Sequence, residues 1–325
     1  MIHVTTVIPV YNGERFLGAT LQCIADQTRR PDLLVVIDDC SRDGTCELVR
    51  GFQKAHPEIN CELRINECNQ GLFKNLNLTL QLAAHTDYLH ILLADDLVLP
   101  TFLSRLISVL ENHPSLALAF SLTEAIDQIG VLIPFLHRRK ATGINQLTQS
   151  ELLRRQSELQ TLFCGSVLLK TNHQDLPCRF RLDMPQTADC VFYAEIATHC
   201  RAILEVGEVL CQIRSHPHSA TSQNVKKIQS WVLDEWKAME LAHEMLAAGG
   251  LARWIRKHKL LCLFAARSYV KIQGTRDETP EFAMQIRSAT LGIVSLTHWV
   301  SGRIAVALRD FWVDILSRKP KMLLL

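Results

Sequence analysis

The chain has 325 residues, of which 48% are hydrophobic and 21% charged, with a formal net charge of +2. That is the mix of an ordinary globular protein of one large or two smaller domains, and it excludes a disordered, collagen-like or low-complexity chain. The charge is too balanced to support a nucleic-acid binder, yet it is uneven: Leu251–Leu325 carries 13 Lys and Arg against 5 Asp and Glu, so a body of net −6 precedes a basic tail of net +8.

Val4–Val10 is a β-branched run closed by Pro9 and the turn residues Asn12 and Gly13, and it predicts a first strand. Glu14–Gln27 follows with Phe16, Leu17, Leu21 and Ile24 at helical spacing. Leu33–Ile37 is a continuous apolar run, as in a strand buried on both faces of a parallel sheet. It ends in Asp38-Asp39, a turn through Asp43-Gly44, and a helix over Thr45–Ala55. Cys61–Ile65 predicts a third strand, Gly71–Ala84 a helix, and Tyr88–Leu93 a fourth strand ending in Asp95-Asp96. Pro100 opens another helix. Strand and helix alternate with short connections through the first ~110 residues, which predicts a right-handed parallel α/β sheet.

Beyond this, Leu116–Ser121 and Val131–Phe135 predict strands and Thr148–Gln156 a helix. Phe163–Leu169 is strand-like, Ala188–Thr198 helical, and Ala202–Ile213 a strand interrupted by Gly207. After Ser222 the chain turns helical, over Asn224–Ala248, Arg253–Lys271 and Gly302–Arg318. Eleven scattered cysteines without a Cys-x-x-Cys pair, and a start lacking a leader pattern, predict reduced thiols in a cytoplasmic protein. No uncharged apolar run reaches the ~18 residues of a membrane span; Ser288–Gly302 comes closest.

In parallel α/β sheets ligands bind at the carboxyl ends of the strands, so chain order alone puts Asp39 and Asp95/Asp96 on one edge. Asp38 and Asp39 can accept hydrogen bonds from a ligand, or serve as a helix cap or Asx turn. Asp95 and Asp96 end an apolar strand, where two adjacent carboxylates repel and lose hydration. A divalent cation, Mg²⁺ or Mn²⁺, would compensate them, and such ions take one or two carboxylates plus phosphates; a capping pair is the alternative. Arg214 to Ser222 gathers one Arg, His216, His218 and several hydroxyls, suited to phosphate oxygens or to a plain polar turn. Asp189 starts an amphipathic helix, where spacing alone favours a cap over a base. Gly-x-Gly-x-x-Gly, Gly-x-x-x-x-Gly-Lys-Ser/Thr and Gly-x-Ser-x-Gly are all absent, which removes support for nicotinamide, P-loop and α/β-hydrolase chemistry.

Val7-Ile-Pro-Val-Tyr-Asn12, Ile37-Asp-Asp-x-Ser-x-Asp-Gly-Thr45, Asn69-Gln-Gly-Leu-Phe-Lys-Asn-Leu-Asn77 and Leu93-Ala-Asp-Asp-x-x-x-Pro100 occur in order. Together they resemble the family 2 nucleotide-sugar glycosyltransferases over roughly Thr5–Ser222. The resemblance implies a GT-A fold, Rossmann-like with a mostly parallel sheet, over residues 1–222, divided into a nucleotide-binding half (1–115) and an acceptor half (116–222). A helical basic extension follows at 223–325. It implies a nucleoside pocket lined by Pro9, Tyr11 and Asn12, with Asp39 on the base and Asp38 beside it. It further implies donor contacts from Asn69, Gly71, Asn77 and Asp95, a metal on Asp96 and Asp95, and Gly165 beside the donor sugar. Asp189 falls at the general base, and Arg214, His216 and Ser219 match an element capping the diphosphate.

Ala94 and Ala188 depart from the family by replacing frequent polar or acidic residues. The Gln-x-x-Arg-Trp motif of processive synthases is absent, since Arg253-Trp254 follows Gly250. The implied activity is inverting, metal-dependent transfer of one sugar from a nucleotide-diphosphate donor, a UDP-sugar, to a glycan or lipid-linked acceptor of surface-polysaccharide synthesis. A catalytically silent nucleotide-sugar-binding relative is the alternative. The tail, with Trp254, Leu260, Leu261, Phe264, Trp299, Phe311 and Trp312, either lies on an anionic membrane or packs on the catalytic domain.

Overall fold

The computed structural model describes residues 2–113, 116–133, 141–246 and 249–318, with side chains to 309. β1 (Val4–Val10), α1 (Leu17–Ala25), β2 (Leu33–Asp38), α2 (Thr45–Ala55), β3 (Cys61–Ile65), α3 (Leu72–Leu80) and β4 (Tyr88–Ile91) alternate as predicted. Next come β5 (Leu97–Val98), α4 (Phe102–Leu110), β6 (Ala117–Ile126), β7 (Leu132–Ile133), β8 (Ile144–Gln146), α5 (Gln149–Ser157), β9 (Val167–Lys170), α6 (Ala188–His199) and β10 (Ala202–Arg214). The tail forms α7 (Ala220–Asn224), α8 (Asp234–Glu244), α9 (Gly250–Thr275), α10 (Pro280–Leu291) and α11 (Leu296–Arg318).

One sheet runs β3-β2-β1-β4-β9-β6-β10-β5, with β7 on β6 and β8 on β10. β3, β2, β1 and β4 are mutually parallel, as are β6 and β10, while β9 is antiparallel to both β4 and β6. Along β1, Val4, Ile8 and Val10 enter a core under α1, α2 and α4, whereas Val7 enters the opposite core under α3, α5 and α6. Burial on both faces explains why β1, β2 and β4 lack polar alternation, whereas β3, at the sheet edge, alternates Cys61, Leu63 and Ile65 with Glu62 and Arg64.

Pro9 also shapes this edge. Val7 accepts from Leu92 N on the β4 side and Val10 from Asp39 N on the β2 side. Alternation therefore turns Pro9 toward β4, where its missing N–H ends the ladder. Freed from pairing, the chain after β4 turns at Leu93–Asp96 rather than extending to Leu93 as a strand.

Several expected boundaries move. The strand predicted at Ala202–Ile213 passes through Gly207 with register irregularities between Val206 and Cys211. A Cβ at Gly207 would stand 2.7 Å from the Ala141 backbone, so only glycine allows that approach. The helix predicted over Asn224–Ala248 is broken by a π-helical turn at Gln229–Leu233, and its last two residues lie outside the described residues. Of the strand predicted at Val131–Phe135, only Leu132–Ile133 forms within the described part.

The tail packs on the sheet domain. Cys190 and Val191 of α6 share a core with Met239, Leu260, Phe264, Ile286 and Trp299. Of the aromatic face named above, Trp254 is 59% exposed, while Phe311 and Trp312 lie outside the described side chains. No helix among the described residues is long and apolar enough to cross a membrane.

Candidate active site

Because β1 to β4 are parallel, the residues that follow them share one edge of the sheet. Asp39, just past β2, is buried, and its carboxylate accepts from Asn66 Nδ2 (2.7 Å), Gln70 N (3.0 and 3.1 Å) and Gly71 N (2.8 Å). Three donors thus converge on Asp39, which holds the 66–71 loop. Asp38 accepts from Ser41 N at 2.9 Å through Oδ2, while its buried Oδ1 has no hydrogen-bond partner among the described residues.

Asn12 adopts a left-handed φ of 50° and clasps the β2–α2 turn: its N–H donates to Ser41 Oγ and its Oδ1 accepts from Arg42 N. Tyr11 beside it is 47% exposed. Asp43 accepts from Glu14 N and Thr45 N, which is the turn role expected of it. Asn69 Oδ1 accepts from Gly71 N, and Gly71 takes φ 86°, which suits glycine.

The second group surrounds the acid pair. Asp96 is buried and accepts the Arg214 backbone N–H at 2.9 Å through Oδ1. Arg214 Nε donates to the Asp95 carbonyl and Nη1 to the Asp127 carbonyl, each at 2.9 Å, with the guanidinium over the Phe16 ring. His216 Nε2 lies 2.9 Å from Asp95 Oδ2, and its ring also packs on Phe16. Ser219 accepts from Ser222 N and its own N–H donates to the His216 carbonyl, so it supports the turn that carries His216. Thr20 Oγ1 reaches the carbonyls of Ala94 and Asp96 at 3.0 Å.

Burial raises the Asp96 carboxyl well above the usual range and the Asp95 charge adds to this, against smaller opposing effects from the Arg214 N–H and guanidinium.

Asp189 begins α6, half-buried, and accepts the N–H of Cys190 at 2.7 Å. Burial pushes its carboxyl up to about 6. The buried Cys164 thiol is pushed up to about 12 by desolvation, then by the Asp189 charge and, more weakly, by that of Asp96. A Cβ at Gly165 would meet Leu92 at 3.0 Å, Cys211 at 3.3 Å and Asp96 Oδ2 at 3.9 Å. His90, buried in β4, fixes this turn through Nε2 to the Gly165 carbonyl (3.1 Å) and Nδ1 to Thr6 Oγ1 (3.3 Å). The carbonyl can only accept, which places the proton on Nε2.

Asn77 lies apart. Its Nδ2 donates to the Phe180 carbonyl and its Oδ1 accepts from Phe180 N, so its amide ties α3 to the 180 segment. The α3 asparagine that faces the site is Asn75, buried, donating to the Ile37 carbonyl and accepting from Asn66. The signal was in the spacing: Gly71 and Asn75 are four apart on one helix face, Asn77 is not. Phe16, Asn66 and Asp127 also line this region, and of these only Phe16 stands out in the sequence, as part of a helix face.

A divalent cation fits the acid pair. Asp96 carries a buried charge that the protein opposes only in part, and no hydrogen bond among the described residues reaches its Oδ2. Among the described residues, no group of three or more His, Cys, Asp and Glu could hold a metal alone. Two carboxylates completed by phosphate oxygens and water is the usual arrangement for Mg²⁺.

Residues 5–164 match the family model described as glycosyl transferase family 2. EpsE of Bacillus subtilis (strain 168) is 30% identical over 128 residues, 39% of this chain and 45% of that protein. An uncharacterized glycosyltransferase of Haemophilus influenzae is 21% identical over 67% of each chain. The match thus spans less than half the length of the first relative and two thirds of the second. The structure of S. aureus TarS 1-349 in complex with UDP-GlcNAc superposes with a TM-score of 0.66 at 18% identity, over 90% of this chain and 80% of that one. The mannosyltransferase PcManGT from Pyrobaculum calidifontis, in complex with GDP-Man and Mn²⁺, gives 0.53 at 18% identity over 95% and 87%. At such identities the likeness establishes the shared GT-A fold.

Proposed function

Residues 5–164 belong to glycosyl transferase family 2, and on that premise we propose that the protein is an inverting, metal-dependent glycosyltransferase. It moves one sugar from a nucleoside-diphosphate donor, a UDP-sugar, to an acceptor hydroxyl in surface-polysaccharide or glycolipid synthesis, on the cytoplasmic side of the membrane. The observation that supports this reading is the buried Asp96, whose Oδ2 lies 3.9 Å from a Cβ built at Gly165, with His216 on the adjacent Asp95 and the charges of Asp96 and Asp189 both acting on Cys164.

Asp95 and Asp96 would hold Mn²⁺ or Mg²⁺, which when bound supplies positive charge for a departing diphosphate. His216 orients Asp95, and Arg214 locks the acid turn through two main-chain carbonyls. Asp39, through Gln70 and Gly71, holds the loop that closes the nucleoside side. Asp189 takes the proton of the acceptor hydroxyl; its raised carboxyl makes it a stronger base than an exposed aspartate, and such a base contributes typically ~10²–10⁴-fold. A single carboxylate on the acceptor side gives direct displacement with inversion. Incubation with UDP-sugars and Mn²⁺, scoring transfer or hydrolysis, tests the reading; binding without either would favour a catalytically silent relative.

A specific observation also favours peripheral membrane contact by the tail. Leu296, Val300, Ile304 and Leu308, four residues apart on α11, are 69%, 45%, 54% and 56% exposed on a segment of net positive charge. Co-sedimentation of the full chain with anionic but not zwitterionic vesicles is the expected result. Equal sedimentation with both would remove this reading.

A further inference from the structure

We propose that the cavity between the end of α8 and the start of α9 binds a phosphate group. It measures about 360 Å³ and is lined by His243, Glu244, Gly250, Arg253, Trp254 and Lys257. None of these residues belongs to the acid-pair site, and the cavity lies on the helical tail.

Three independent features favour an anion there. First, the side chains that line it bring Arg253 and Lys257 together, with Arg256 a further cation close enough to affect His243. Lys257 is held by Glu240 and lies over the Trp236 ring at 4.8 Å, so its ammonium is already positioned. Arg253 makes no ion pair among the described residues. The acid on the wall is Glu244, which is exposed. Second, the wall includes His243, only 4% exposed, whose buried Nε2 has no hydrogen-bond partner among the described residues. A buried polar nitrogen is normally satisfied, so an unpaired one beside a cavity marks a missing partner.

Third, the 26-residue helix α9 begins at this cavity, and no side chain among the described residues caps it. Its first N–H groups therefore point outward unpaired, at the positive end of the helix dipole. Gly249 and Gly250 leave that backbone open, with no described atom within 4 Å of a would-be Cβ at either. The exposed Trp254 ring supplies an apolar flank. Arg253, the lining cation without an ion pair among the described residues, offers a phosphate a charge-assisted donor beside the helix start. The source of the phosphate is either a soluble phosphate ester or the headgroup of an anionic lipid, because both present the same oxygens.

The test uses the full chain and Trp254 as a local reporter. Inorganic phosphate is titrated against intrinsic fluorescence, with sodium chloride at matched ionic strength as control. The expected result is a saturable change, lost in Trp254→Phe, about ten-fold weaker in Arg253→Gln and largely restored in Arg253→Lys. Because Arg253 is exposed and unpaired, its substitution should leave the fold and sugar transfer unchanged. Competition by phosphatidylglycerol vesicles, but not phosphatidylcholine vesicles, assigns a lipid headgroup; competition by glycerol phosphate alone assigns a soluble ester. A change reproduced by chloride, or an Arg253→Gln protein with wild-type affinity, overturns the proposal whether or not the protein transfers sugar.

Discussion

His216 holds Asp95 across 121 residues of sequence: its Nε2 meets Asp95 Oδ2 at 2.9 Å, while the ring rests on Phe16 and the buried Nδ1 has no partner among the described residues. The pairing fixes the direction of an acid that would otherwise swing on a tight turn. His216→Ala should weaken the Mn²⁺ dependence of donor binding by roughly 10–100-fold, the usual cost of losing an orienting partner. A metal titration of donor affinity measures it; an unchanged midpoint would separate His216 from the site.

Asp96 is expected to weaken the fold that it serves. Its carboxyl is raised by burial and by Asp95, so the native state holds its proton more tightly than the unfolded chain does. That contribution to stability is full below the ordinary aspartate range and is lost as pH rises. Asp96→Asn should therefore melt higher than wild type at pH 7 without metal, the difference vanishing in acid, while transfer is abolished. Thermal melts across pH, paired with an activity assay, decide this.

Asp189 makes a different pH prediction. With its carboxyl near 6, the base is protonated below that value, so kcat should fall as pH drops through about 6. Asp189→Asn should lower kcat by roughly 10²–10⁴-fold with donor affinity nearly intact. An acid limb that persists in the variant would assign the titration to another group.

Asp39→Asn replaces one acceptor oxygen with an NH₂ group facing the N–H groups of the 66–71 loop. The loss should be about 1–3 kcal/mol of stability, as for a buried donor left unpaired. Nucleotide affinity should fall with the loosened loop. Denaturant melts and nucleotide titration together would show whether the carboxylate acts through that loop; weakened nucleotide binding without loss of stability would instead indicate a direct contact.

His90 is buried and neutral, lowered from its ordinary 6.5 to about 4 by desolvation, with the Gly165 bond opposing. The unfolded chain takes up that proton first, so stability should decline as pH falls from about 6.5 toward 4, by roughly 3 kcal/mol in all. His90→Gln, which can still span Thr6 and Gly165, should flatten that slope. An identical acid profile for the two proteins would contradict the assignment.

The sequence alone determined the parallel α/β half and the edge that carries Asp39, Asp95 and Asp96. Short apolar runs bounded by turn residues and alternating with helices fit strands buried on both faces, and parallel strands then put their carboxyl ends on one side. Tertiary structure decided what each residue does there. Asn77 is spent on Phe180, 103 residues away, while Asn75 faces the site. Asp39 turns its lone pairs onto a loop, and Arg214 meets Asp96 across 118 residues and lays its guanidinium on Phe16. The burial that raises Asp189 comes from the sheet and tail closing around the start of α6. Periodicity encodes which face a side chain occupies, because backbone geometry repeats locally. It carries no record of which distant groups arrive at that face, and hydrogen-bond saturation and desolvation depend on that arrival.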